Sequence, residues 1–135
     1  MVTPSPLPVA ASSLPLQSFD PATGPIVAFV GTFVATALFL SATAHVAARN
    51  VLGDVPIRRA LAVGPVPAAA VVALAQHGPG VTLVVTGLAD LLAVHVIYRV
   101  RYRTAGLVTV IHVTISFLLT LALGSLIALL GTAPT

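Results

Sequence analysis

The sequence predicts an all-α integral membrane protein, a four-helix bundle of up-down topology. Three observations carry that expectation. Apolar residues fall in blocks long enough to cross a hydrocarbon layer of ~30 Å. Charged residues make up 7% of the 135-residue chain and hydrophobic ones 58%, where a soluble domain carries about 25% charge. The six basic residues are all Arg and stand beside the apolar blocks, which suits orientation in a membrane better than nucleic-acid binding. Mean hydropathy is +1.10. The chain has no Cys, so disulfides, thiolate metal sites and Cys nucleophiles are excluded.

Residues 1–24 read as a Pro-rich extracytoplasmic tail. Pro4, Pro6, Pro8, Pro15 and Pro21 forbid a regular helix, and the segment lacks the basic region of a signal peptide. Leu14, Leu16 and Phe19 can rest on a bilayer surface. Residues 25–135 form the membrane domain, with spans at about 26–48, 60–77, 81–98 and 105–130. Pro25 opens the first span, where a missing N–H costs nothing. Arg49 and Asn50 close it. Gly53-Asp54-Val55-Pro56 reads as a turn with Asp54 as N-cap of the second span. Gly64, Pro65 and Pro67 kink that span near its start. His77-Gly78-Pro79-Gly80 is a tight turn that sends the third span back antiparallel. Tyr98 and Tyr102 flank Arg99, Arg101 and Arg103 at an interface.

Arg49, Arg58 and Arg59 lie in the first connection and Arg99, Arg101 and Arg103 in the third, with no Lys or Arg elsewhere. By the positive-inside rule both connections are cytoplasmic, and both termini lie outside the cell membrane. The same Arg side chains suit anionic lipid headgroups. His45-Val46-x-x-Arg49 recurs as His95-Val96-x-x-Arg99; if this records a duplication, the bundle is two tandem helical hairpins.

Asp90 lies nine residues before Arg99, hence ~13 Å into the membrane. A charge there is costly, so the carboxyl must face the bundle, find a partner or stay protonated. Thr82, Thr86 and Asp90 share one helix face, and Thr109, His112, Ser116 and Thr120 form a second polar stripe. His112 reaches nearly the depth of Asp90, so the two are the expected pair. The pair, with Thr86, Thr109 and Ser116, is either a lock on helix register or a proton or ion site. His45 and His95 stand level near the cytoplasmic boundary. They are candidates for haem or metal ligation, or ordinary interfacial His that reach headgroups or backbone carbonyls. His95 sits about 140° around the helix from Asp90, which argues against one four-residue metal centre. Gly31 and Ala35, and the row Ala37, Ser41, Ala44 and Ala48, suit close helix packing. No catalytic motif is present, so an enzyme is not expected.

Leu16-Gln17-Ser18-Phe19-Asp20-Pro21, then Thr43-Ala44-His45-Val46-Ala47-Ala48-Arg49-Asn50-Val51-Leu52-Gly53-Asp54-Val55-Pro56, then Val63-Gly64-Pro65-Val66-Pro67, resemble small uncharacterised membrane proteins of halophilic archaea. The resemblance implies a fold and a source but no activity. Three functions stay open. The first is a non-enzymatic accessory or assembly subunit, or a homo-oligomer, that needs no cofactor and partners with lipid or another membrane subunit. The second is a small proton- or ion-coupled transporter using Asp90 and His112. The third is a haem-binding electron carrier using His45 and His95.

Overall fold

A computed structural model describes residues 24–132, all of whose regular structure is helical. The Pro-rich tail lies outside the described residues, apart from Gly24. Five helical segments follow in order: α1 (Gly24–Leu52), α2 (Ile57–Val63), α3 (Pro65–Ala73), α4 (Pro79–Tyr98) and α5 (Tyr102–Gly131). Of these, α1, α4 and α5 are each long and apolar enough to cross a membrane.

The expected second span is built from two short helices. Pro65 and Pro67 have no N–H, so the carbonyls of Leu61 and Val63 lose their helical donors. The path nevertheless stays helical through Gly64 (φ −53°, ψ −41°), whose N–H donates to Ala60 O at 3.0 Å and whose carbonyl accepts from Ala68 N at 3.2 Å. The expected break is thus present as a joint between α2 and α3. Helix α3 ends at Ala73, four residues before the expected end of the span, because the chain turns at Leu74. The Thr82 hydroxyl donates to Leu74 O at 3.0 Å and closes that turn against α4.

Two other local expectations need correction. Asp54 is not the N-cap of the second span: Pro56 holds that position in an extended conformation (φ −68°, ψ 134°), without a side-chain cap. Pro56 fixes the entry to the helix two residues later than Asp54, whose side chain is exposed. The two His-Val-x-x-Arg stretches also end their helices differently. Helix α1 runs past Arg49 to Leu52, whereas α4 stops at Tyr98 with Arg99 left-handed at φ 56°.

The helices pack as a ring. The α2–α3 unit lies between α1 and α4, and α5 closes the ring between α4 and α1. Neighbours run antiparallel, so both Arg-bearing connections fall at one end, and all six Arg side chains are exposed there. The core is concentrated at that end: Ala44, Ala47, Ala48, Val55, Val63, Ala93, Val94, Tyr98, Ala105 and Val108. Small residues predominate there, and they let the helix backbones approach closely. Gly64 is the tightest example. A Cβ built there would lie 2.6 Å from Ser41 N and 2.7 Å from Ala37 O, and would overlap the Ser41 hydroxyl.

At the opposite end the ring opens. Every residue of α1 from Pro25 to Thr32, and of α5 from Phe117 onward, is exposed.

Candidate functional site

The polar residues of the interior meet where α1, α4 and α5 face one another, about 12–15 Å along each helix from the Arg-bearing end. His112 on α5 is the hub. Its Nδ1 lies 2.9 Å from Asp90 Oδ2 on α4, and its Nε2 lies 3.0 Å from Thr43 Oγ1 on α1. Ser116, one turn further along α5, donates to the same Thr43 oxygen at 2.9 Å. Asp90 is 1% exposed, His112 2% and Thr43 3%. The set therefore sits in a medium where each hydrogen bond is strong and each missing one costly.

One placement of the protons satisfies every hydrogen bond of Thr43 and His112. The Thr43 hydroxyl donates its only proton back to its own helix, to Phe39 O at 3.1 Å with Leu40 O at 3.2 Å. Its two lone pairs then accept from Ser116 Oγ–H and His112 Nε2–H, which fills its capacity. With Nε2 protonated, one further proton lies between Nδ1 and Oδ2. The pair is then either imidazolium with carboxylate or imidazole with carboxylic acid, and both arrangements are neutral as a unit. A neutral unit is what a low-dielectric interior tolerates.

Two buried polar atoms at the edge of this cluster are left without partners: Asp90 Oδ1 and Thr86 Oγ1, one turn apart on α4. Both residues line a cavity of about 500 Å³ bounded by α1, α3, α4 and α5. His112 and Ser116 line it too, and its walls are otherwise largely apolar, with Phe39, Leu40, Val71 and Leu83 among them.

The other residues singled out in the sequence lie apart. Thr109 is buried and its hydroxyl is unpartnered, so it does not join the cluster. Thr120 donates to Ser116 O at 2.7 Å and is exposed. Thr82 closes the α3–α4 turn instead of reaching the Asp90 carboxyl. His95 closes the α4–α5 connection. Its Nδ1 donates to Val100 O at 2.6 Å, and its ring stacks on Tyr102 with centroids 3.9 Å apart and planes 16° from parallel. His45 is half-buried on α1, a helix that does not pack on α4, and its Nδ1 has no partner. No group of three or more potential metal ligands converges among the described residues. The Arg side chains make no ion pair among the described residues; the one ionisable pair there is His112 with Asp90.

Thr43 is the member the sequence reading missed. A threonine in an apolar helix ordinarily bonds its own preceding turn, as this one does, and nothing in its spacing marks it. Depth did not mark it either: counted back from Arg49 it lies ~9 Å in, shallower than the ~13 Å of His112 from Arg103, and the difference closes only because α1 runs on to Leu52.

Among the described residues the fold is all-helical, with three helices of membrane length around a buried polar cluster, which fits a membrane protein. The chain belongs to DUF7473, a family of unknown function, which matches residues 23–134. Comparison with curated proteins found no match, and neither did comparison with solved structures.

Proposed function

We propose that this chain is a non-enzymatic, multi-pass protein of the cell membrane that acts as an accessory or assembly subunit or as a homo-oligomer. The observation that carries this reading is the saturation of the Thr43 and His112 hydrogen bonds within the cluster. Every donor and acceptor of these two side chains is directed at another helix or at its own backbone. Such an arrangement fastens α1, α4 and α5 together and leaves neither Thr43 nor His112 free to act as nucleophile or base. In this reading α2 and α3 together make the fourth crossing; their 16 helical positions with the joint residue Gly64 span ~25 Å, near the short end of what crosses a bilayer. The six Arg then face the cytoplasm and both termini face outward. The Arg-without-Lys usage favours a halophilic archaeal source. The uncovered half of α5, with Gly124 and Ala128 one turn apart, is the surface for association.

The absence of Cys makes the test clean. Single-Cys variants Asp54→Cys and Gly78→Cys should be labelled from opposite sides of the membrane by an impermeant maleimide. Ile127→Cys should crosslink to a second copy or to another membrane subunit. Labelling of positions 54 and 78 from the same side overturns the four crossings, and a chain that stays monomeric and uncrosslinked overturns the subunit role. Proton flux in proteoliposomes, lost in Asp90→Asn, would establish the transporter instead.

A further inference from the structure

We infer that the cavity between α1, α3, α4 and α5 is a binding site for a neutral, membrane-soluble molecule with a hydroxyl donor on an apolar body, such as a long-chain alcohol or a quinol. The inference uses the membrane placement of the chain but not its role as a subunit. The cavity has about 500 Å³ of space, inside the range of about 300–1,000 Å³ typical of small-molecule sites. It also has their composition, an apolar wall with a few convergent polar groups. Aliphatic and aromatic side chains such as Phe39, Leu40 and Val71 supply the wall. Asp90 and His112 form the polar end, and there a carboxyl oxygen of Asp90, buried in an otherwise satisfied cluster, has no hydrogen-bond partner.

The hydrogen-bond inventory selects the ligand. His112 Nε2–H is committed to Thr43 and Ser116 Oγ–H to the same oxygen, so neither is free to donate to a carbonyl or an anion. What remains is an acceptor, Asp90 Oδ1, and the Thr86 hydroxyl, a donor and acceptor one turn away on the same helix face. A ligand that meets the Asp90 oxygen therefore has to bring a donor, and a hydroxyl can also accept from Thr86. It also has to be neutral, since the Asp90–His112 unit already balances its own charge and an added cation would stand unpaired in the hydrocarbon layer. A hydroxyl on an apolar body meets both conditions.

The experiment uses the full chain in lipid nanodiscs, titrated with 4-octylphenol and, in parallel, with octylbenzene, which has the same apolar body and no hydroxyl. Saturable binding is read by ligand-observed NMR and by the rise in unfolding temperature. The expected result is that 4-octylphenol binds at least about tenfold more tightly, the ratio expected for one hydrogen bond to a buried acceptor. Thr86→Val should narrow that ratio without touching the fastener. Ala35→Phe, on the cavity wall, should abolish binding of both compounds while leaving Asp90, His112 and Thr43 in place. Equal affinity for the two compounds overturns the proposal, because the cavity is then a lipid-tail space with no recognition of the hydroxyl. Binding that survives Ala35→Phe, or no saturable binding of 4-octylphenol, overturns it as well. Each result is independent of the labelling and crosslinking pattern that tests the subunit reading.

Discussion

Adding a single methyl group at Gly64 should destabilise the bundle, although helix propensity favours the change. Gly64 has right-handed helical angles, so Ala fits its backbone and on propensity alone should gain ~1 kcal/mol. Packing opposes this. The new Cβ would meet Ser41 N at 2.6 Å and Ala37 O at 2.7 Å. Both are backbone atoms of α1, and Ser41 Oγ is tied to Ala37 O by a 2.7 Å hydrogen bond. No flexible side chain can yield, so α1 and the α2–α3 joint must part by roughly 1 Å to restore van der Waals contact. That movement loosens Ala44, Ala60, Val63 and Ala68, all fully buried nearby on the same three helices. Overpacking of this kind costs typically ~1–3 kcal/mol, so after the propensity gain the net loss should be up to ~2 kcal/mol. Reversible unfolding in bicelles or mixed micelles measures it, with Gly87→Ala on α4 as the control because a Cβ there meets open space. Gly64→Ala should fall below wild type while Gly87→Ala equals or exceeds it. A Gly64→Ala protein as stable as the control would refute the close approach of α1 to the joint.

Further substitutions test other parts of the structure by the same unfolding assay. Asp90→Leu or His112→Leu alone leaves its partner buried and unpaired, at a cost of ~3–5 kcal/mol; the double substitution should cost clearly less than the sum, and additivity would argue against direct contact. Thr43→Val leaves the donors of His112 and Ser116 without their acceptor and should cost ~1–3 kcal/mol, while Thr43→Ser should restore most of it. Arg99→Gly should stabilise by about 1 kcal/mol, because the left-handed position that ends α4 suits glycine; a loss would mean that the Arg99 side chain contributes more than its backbone strain costs.

Much of this architecture is legible in the sequence because long apolar blocks with polar ends obey simple rules. Three of the helices follow from long apolar blocks, and their ends from Arg, Pro and Gly within a few residues of where the structure places them. The α2–α3 joint follows from two prolines that lack N–H groups. What cannot be read is set by neighbours. Helix α3 ends early in a turn where Leu74 O accepts from His77 N at 2.9 Å and also from the Thr82 hydroxyl, the latter an interaction between elements that no local pattern encodes. The same bond removes Thr82 from the polar stripe that leads to Asp90. Within the site, depth arithmetic brings Asp90 and His112 together, since a shared interface gives both helices a common origin. Thr43 stays hidden because its bond to its own turn resembles that of any helical threonine, and only the packing of α1 on α5 makes it the second acceptor for His112. The role of His95 depends likewise on the path of the chain at Val100 and Tyr102.

The central claim is that His112 joins α4 to α1 by holding Asp90 on one side of its ring and Thr43 on the other. Solid-state NMR in lipid tests it most directly, on a chain labelled with ¹⁵N in the His rings and ¹³C in the Asp carboxyls and Thr side chains. The account predicts dipolar coupling of His112 Nδ1 to the Asp90 carboxyl, in keeping with a 2.9 Å hydrogen bond, and a protonated Nε2 coupled to the Thr43 side chain. A His112 ring that couples to neither residue, or whose Nε2 carries no proton, would contradict the account.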